Sequence, residues 1–230
     1  MKRLGIIGGM SWESTQSYYR LINEGVKAQL GGLHSADLLL HSLDFAPVAA
    51  LQAQGEWEQL GDQLAGSARM LQNAGADGVL IATNTMHRVA EQVESSLDIP
   101  LLHIADATGE ALRAAGIERV GLLGTAFTME QRFYRGRLQE RFGLEVLTPN
   151  AEDRALVHRV IYDELCKGEV NDTSRQQYVQ VTRRLQAMGA EAVILGCTEI
   201  GLLLPPHAVE VPLFDTAAIH CASAVEFMLD

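Results

Sequence analysis

The sequence predicts a two-part α/β fold in which each part is built on a mainly parallel sheet. Three observations predict it. The first is an internal repeat. Arg3-Leu4-Gly5-Ile6-Ile7-Gly8 returns as Arg119-Val120-Gly121-Leu122-Leu123-Gly124. Gly75-Ala76-Asp77-Gly78-Val79-Leu80-Ile81-Ala82 returns as Gly189-Ala190-Glu191-Ala192-Val193-Ile194-Leu195-Gly196, and Ile99-Pro100-Leu101-Leu102 as Val211-Pro212-Leu213-Phe214. The order is kept and the offsets are 116, 114 and 112 residues, so two structurally similar halves follow. The second observation is that the apolar runs are short, rich in β-branched side chains and without alternation, as in strands buried on both faces. The third is helical periodicity between those runs, and strand–helix alternation implies a parallel sheet with right-handed crossovers.

The elements follow in chain order. Strands are expected near 3–8, 37–43, 78–83 and 99–104 in the first half. In the second half they are expected near 119–124, 144–148, 192–197 and 211–215. Trp57, Leu60, Leu64 and Leu71 fall on one helix face. Tyr178, Val181, Leu185 and Met188 do so in the second half, with Asp172 or Thr173 as the N-cap. No low-complexity linker separates the halves. The tail is expected to return to the first half, giving a discontinuous domain of residues 1–99 plus 213–230 and a second of residues 100–212.

Composition bounds the function. The chain has 230 residues, 47% of them apolar, with 18 basic and 29 acidic side chains and a formal charge of −11. It can bury a sizeable core, and wholesale disorder is excluded. No apolar run approaches the roughly 20 residues of a membrane-spanning helix, and Leu4-Gly5-Ile6-Ile7 is too short for a secretory signal. Three cysteines cannot all pair within one chain, which argues for reduced thiols and a cytoplasmic setting. The acidic balance argues against nucleic acid as a partner, because phosphates need a basic patch.

Parallel α/β sheets place ligands beyond the carboxyl ends of their strands. Those ends carry Thr83-Asn84-Thr85 in the first half and Cys197-Thr198-Glu199 in the second, and the repeat superposes Thr83 on Cys197. If a pseudo-two-fold axis relates the halves, a hydroxyl and a thiol approach one substrate from opposite sides, a geometry for moving a proton across a carbon. Two plainer readings stand beside this one. A cysteine ending a strand can be a small buried hydrophobe, and Thr-Asn-Thr can be a turn and helix cap. The first strand ends in Gly8-Gly9-Met10-Ser11-Trp12-Glu13-Ser14, where glycines let backbone N–H groups approach a ligand and a helix N-terminus favours negative charge. The matching Gly124-Thr125-Ala126-Phe127-Thr128 offers hydroxyls to cap a helix or bind a carboxylate. His87 either tunes the site or makes a structural hydrogen bond. Cys166 and Cys221 lie in helical patterns and read as packing residues. The chain has no His-Glu-x-x-His, no Cys-x-x-Cys and no P-loop, so neither a metal nor a nucleotide cofactor is expected.

Gly8-Gly9-Met10-Ser11, Thr83-Asn84-Thr85-Met86-His87 and Gly196-Cys197-Thr198-Glu199 resemble the signatures of the aspartate/glutamate racemase family, which works without pyridoxal phosphate. The resemblance covers essentially the whole chain. It is nearest to the YgeA-type bacterial branch, Asp215-Thr216-Ala217-Ala218-Ile219-His220 included. It implies two Rossmann-like domains with the active site in the cleft between them, a homodimer, and a cysteine from each domain flanking the substrate α-carbon. Cys197 matches the second-domain cysteine, while Thr83 stands where the family usually has the first. By the same match Met10, Asn84, Thr85, Thr125, Thr198 and Glu199 fall among the substrate-binding residues. Gln52 stands where many members place an arginine for the side-chain carboxylate. Lys167 either matches a family lysine near that carboxylate or is a solvated helix-end residue.

The implied chemistry is inversion of an amino acid at Cα. Cys197 would abstract the proton, from the L enantiomer by the resemblance, with its thiol pKa lowered near a helix N-terminus. Thr83 would serve the opposite face. Three alternatives stay open: racemisation of neutral amino acids such as homoserine, a non-catalytic binder of small carboxylates, and another single-cysteine enzyme such as a decarboxylase or cis–trans isomerase.

Overall fold

The eight expected strands all form, and they assemble into two four-stranded parallel sheets of one topology. The computed structural model describes all of residues 1–230. In chain order the elements are β1 (Leu4–Gly8), α1 (Trp12–Leu30), β2 (Leu38–Ser42), α2 (Phe45–Gln54), α3 (Trp57–Asn73), β3 (Gly78–Ile81), α4 (Ala90–Glu94) and β4 (Leu101–Leu102). There follow α5 (Ile104–Ala114), β5 (Arg119–Gly124), α6 (Ala126–Glu130), α7 (Arg132–Phe142), β6 (Glu145–Leu147) and α8 (Ala151–Asp163). The chain ends with α9 (Asp172–Ala187), β7 (Ala192–Gly196), α10 (Ile200–Leu203), β8 (Leu213–Asp215) and α11 (Thr216–Leu229). The strand orders are β2-β1-β3-β4 and β6-β5-β7-β8, every pair parallel.

Residues Met1–Ile104 with His220–Asp230 form one unit, and Ala105–Ile219 form the other. The crossings lie a few residues beyond the expected 99/100 and 212/213. The ladders show why: β4 pairs with β3 of the first sheet, and β8 pairs with β7 of the second.

The repeat is visible as one physical junction built twice. In the first unit the Arg3 amide donates to the Asp77 carboxylate at 2.6 Å and the Arg3 guanidinium to Asp37 at 2.9 Å. In the second the Arg119 amide donates to Glu191 and its guanidinium to Glu145, at 2.9 and 2.8 Å. Each junction follows a glycine at positive φ, Gly75 at +94° and Gly189 at +100°, where an L side chain is strained. A Cβ at Gly189 would also stand 2.6 Å from the Arg119 guanidinium.

Each central strand is buried on both faces, which accounts for its unbroken apolar run. In the first unit Leu60, Leu64, Ala68 and Leu71 of α3 pack with Ile7, Val79 and Ile81 of the sheet and with Met10 and Met86. Each such leucine contributes about 1.5–3 kcal/mol, enough to hold α3 although Gly61 and Gly66 weaken it by about 1 kcal/mol each. In α9, Tyr178, Val181 and Leu185 are buried as the spacing predicts, but Met188 is 52% exposed. Met188 is the C-cap, and the turn at Gly189 carries the chain away from the helical period. The N-cap of α9 is Asn171, one residue before the expected Asp172 and two before the alternative Thr173.

Histidine side chains are sealed into the first unit. His220 accepts from or donates to the Tyr18 hydroxyl through Nδ1 at 3.0 Å and meets the Leu102 carbonyl through Nε2 at 2.9 Å. A carbonyl can only accept, so Nε2 carries the proton and Nδ1 accepts from Tyr18. Burial pushes the His220 pKa down to about 4. The unfolded chain therefore binds a proton that the folded chain refuses between about pH 6.5 and 4. The stabilisation from neutral His220 is complete above pH 6.5 and is lost as pH falls toward 4. Urea unfolding should lose about 2 kcal/mol between pH 7 and pH 5. His220→Gln, which can still donate to Leu102 but does not titrate, should flatten that slope.

Candidate active site

The site residues of the first unit gather at the carboxyl ends of β1 and β3. Past β1 the backbone closes on itself: the Gly9 amide donates to Thr15 Oγ1 at 2.8 Å, and that hydroxyl donates to the Ser11 carbonyl at 2.8 Å. Ser11 Oγ accepts from the Ser14 amide and caps α1. The Gly9 amide is thus engaged within the protein. Gly9 is required by packing, since it sits at φ +85° and a Cβ there would overlap the Leu43 carbonyl.

Past β3 the chain turns at Thr83 into a 3-10 helix of Thr85–Val89. Thr83 is half-buried, whereas Asn84, Thr85, Met86 and His87 are buried. His87 Nδ1 donates to the Thr83 carbonyl at 2.8 Å, and the Ile104 amide donates to His87 Nε2 at 3.2 Å. Both ring nitrogens are in use, so the ring is neutral with its proton on Nδ1. Gln52, buried in α2, donates from Nε2 to Met86 Sδ at 3.1 Å. Met10 and Met86 share one apolar cluster. Met10, Gln52, Thr83, Asn84 and Thr85 therefore converge at one end of the first sheet.

In the second unit Thr125 follows β5 and is the N-cap of α6, accepting from the Thr128 amide at 3.3 Å. The Ala126 amide donates to His158 Nδ1 at 3.1 Å. Past β7, Cys197 is only 8% exposed and its thiol donates to Glu199 Oε2 at 3.0 Å. Thr198 Oγ1 donates to the same oxygen at 2.7 Å. Glu199 Oε2 therefore takes both of these neighbouring donors. Lys167 is exposed, closing the 3-10 turn Leu165–Lys167, as a solvated helix-end lysine does.

The register makes the two strand ends equivalent. Ile7 pairs with Ile81 and Leu123 with Leu195. Thr83 lies two residues past Ile81, and Cys197 two past Leu195. The hydroxyl and the thiol hold the same position in two topologically identical sheets.

Their electrostatic settings differ. Burial first, then the charge of Glu199, raise the Cys197 thiol well above the ordinary range, with the Glu199 amide a weaker opposing influence. Burial also raises the phenols of Tyr162 and Tyr178, and Cys197 adds to both. This corrects the expectation of a thiol pKa lowered by a helix N-terminus. α10 has four residues, and the apolar surroundings with the nearby carboxylate outweigh it. No three His, Cys, Asp or Glu side chains are arranged to hold a metal ion, and no helix is long and apolar enough to cross a membrane.

Residues 7–224 match the family model for Asp/Glu/hydantoin racemases. The chain belongs to that family. It is an isomerase of the cofactor-independent racemase class. A crystal structure of a candidate Asp/Glu racemase from Yersinia pestis is similar over 100% of both chains, at 52% identity and a TM-score of 0.93. An aspartate racemase homologue from Pyrococcus horikoshii matches over 100% of both chains at 34% identity, with a TM-score of 0.86. Among curated relatives, the broad-specificity amino-acid racemase RacX of Bacillus subtilis is 21% identical over 98% of each chain.

Within this racemase fold, sequence reasoning did not find the Gln52–Met86 bond, the tautomer of His87 or the thiol–carboxylate pair. Only the last had a signal, a carboxylate two residues after the cysteine. Two outcomes are expected from that pair. Alkylation of Cys197 by iodoacetamide should be slow at pH 7 and rise above the range of a free thiol. Glu199→Gln should shift the alkylation profile to lower pH, because it removes a negative charge beside the sulfur; an unchanged profile would show that Glu199 does not act on the thiol.

Proposed function

We propose that this chain racemises aspartate or glutamate by direct proton transfer at Cα, with Cys197 acting on one face and Thr83 on the other. The observation that supports it most is the equivalence of Thr83 and Cys197 at the ends of β3 and β7 in a chain of the racemase family. Met10, Asn84, Thr85, Thr125 and Thr198 lie at the same strand ends and are the groups to hold the substrate. A cytoplasmic setting fits a chain in which Cys166, Cys197 and Cys221 form no disulfide with one another. The assembly proposed from the family resemblance is a homodimer.

At rest the thiol donates a hydrogen bond to Glu199 Oε2, and burial favours that neutral form. In this reading its proton passes to the Glu199 carboxylate across the 3.0 Å contact. The thiolate then takes the α-proton of the L enantiomer, and the electron pair moves into the substrate carboxylate as it gains enolate character. Oriented donors at the strand ends stabilise that charge. Thr83 Oγ1–H delivers a proton to the opposite face, and water reprotonates the alkoxide. The proton held on Glu199 neutralises the hydroxide left behind, so that Cys197 ends as a thiol carrying the former α-proton and Glu199 as a carboxylate. A substrate ammonium near Glu199 would favour the ionised pair.

A second reading is favoured by Gln52. Its amide is neutral, buried and bonded to Met86, where the family resemblance would have an arginine for an acidic side chain. A neutral amino acid such as homoserine then becomes a substrate. The broad-specificity relative is consistent with this.

The test is α-deuteration in heavy water of each enantiomer of aspartate, glutamate and homoserine. The L enantiomer should exchange faster than the D. Cys197→Ser should abolish exchange, and Glu199→Gln should slow it although it makes the thiol more acidic. Thr83→Cys should speed reaction from the D enantiomer. Equal fast exchange from both hands in the native enzyme would contradict the one-thiol account, and binding without exchange would leave a carboxylate-binding protein instead.

A further inference from the structure

The two strand ends differ in what stands behind them. In the second unit the fourth residue past Cys197 is Gly201, whereas the fourth past Thr83 is His87. A Cβ at Gly201 would lie 2.6 Å from Asp215, so that position is already filled from β8. Asp215 there accepts from the Ala217 and Ala218 amides at the start of α11. In the first unit the corresponding helix start is α5, and the Ile104 amide is taken by the His87 ring instead. The imidazole therefore spans two attachments, the Thr83 carbonyl on one side and the first residue of α5 on the other. Its face is closed by His103, with ring centroids 4.5 Å apart, and by His220 at 6.0 Å. The ring has no nitrogen left to exchange protons with a ligand.

We propose that His87 is a positioning residue for the Thr83 half of the reaction. It fixes the Thr83 carbonyl, and through it the direction of the hydroxyl, without itself moving a proton. A threonine hydroxyl is a weak proton donor with three staggered rotamers, so its contribution depends on alignment. A misplacement of about 1 Å is worth roughly 100-fold in such a transfer. This inference rests on the assignment of Thr83 to one face of Cα.

Two substitutions separate the attachments. His87→Asn places an amide nitrogen where Nδ1 stood and keeps a donor for the Thr83 carbonyl. His87→Gln reaches toward Ile104 and gives up the short bond to Thr83. L-Aspartate, L-glutamate and L-homoserine are incubated in heavy water, and inversion is measured beside deuterium exchange with retention. Retention needs Cys197 alone; inversion needs Thr83 as well. His87→Gln should lower inversion about 10- to 100-fold while retention exchange is nearly unchanged, and His87→Asn should recover most of the inversion. A parallel fall of both rates in His87→Gln, or no recovery in His87→Asn, overturns the positioning role. So does failure of both variants to fold, which would assign His87 to structure. If the native enzyme exchanges none of the three substrates, the racemase-site reading fails first and takes this inference with it; a native enzyme that exchanges beside a variant that loses both rates sinks the inference alone.

Discussion

Parallel pairing of β1 with β3 and of β5 with β7 is the constraint on which the remaining structure depends. A parallel ladder has one register once its hydrophobic faces are buried, because a slip of one residue would turn every side chain to the other face. With Ile7 opposite Ile81 and Leu123 opposite Leu195, the residues two places on are held at the sheet ends. Thr83 and Cys197 are thus placed at the sheet ends by the packing of Ile, Val and Leu side chains, and the bonds to His87 and Glu199 act on groups already placed there. The duplicated arginine junctions lie at the opposite ends of the same strands. Their guanidinium–carboxylate pairs are more than two-fifths exposed on both partners, where solvent screens the attraction, so each contributes less than one buried leucine. They mark the register more than they supply the energy that maintains it.

Burial then sets the chemistry. A thiol in an apolar setting resists ionisation, and a carboxylate 3.0 Å away increases that resistance. The same carboxylate is also the nearest acceptor for the thiol proton. These effects pull against each other only if the thiolate must exist before substrate arrives. If the proton moves to Glu199 when a substrate ammonium enters, the negative charge is shared over the pair and appears only when a cation compensates it. On the proposed reading, a base that is protonated at rest is also protected from alkylation and oxidation, both of which need the thiolate.

Much of this was legible in the sequence, and the reasons are specific. The strands could be read because Ile6-Ile7, Val79-Leu80-Ile81 and Val193-Ile194-Leu195 are buried on both faces and so lack alternation. The strand-end residues could be read because the repeat aligns them. The ends of α9 were harder, because Asn171, Asp172 and Thr173 are all competent caps, and the turn at Gly189 decides where Met188 falls. Side-chain partnerships were out of reach. Nothing in the spacing shows that Gln52 bonds Met86 across 34 positions, or that Tyr18 bonds His220 across 202. The direction of the thiol shift depends on the depth of burial around Cys197, which a strand-end position in the sequence does not show.

The duplicated fold carries two different solutions at its equivalent positions. Two residues past Cys197 stands Glu199, and two past Thr83 stands Thr85; four past them stand Gly201 and His87. A thiol asked to be a base needs a nearby acceptor for its own proton, and the second unit supplies a carboxylate. An alcohol is too weak an acid to stand ionised at neutral pH, so an acceptor beside it would gain little. Alignment is what it can use, and the first unit supplies a ring locked between two backbone groups. On the proposed reading the asymmetry of the backing residues follows from the asymmetry of the reacting atoms. A second cysteine at position 83 would then inherit a setting built for a hydroxyl, with geometry in its favour but no carboxylate to receive its proton. Its gain should stay below that of a thiol supported as Cys197 is.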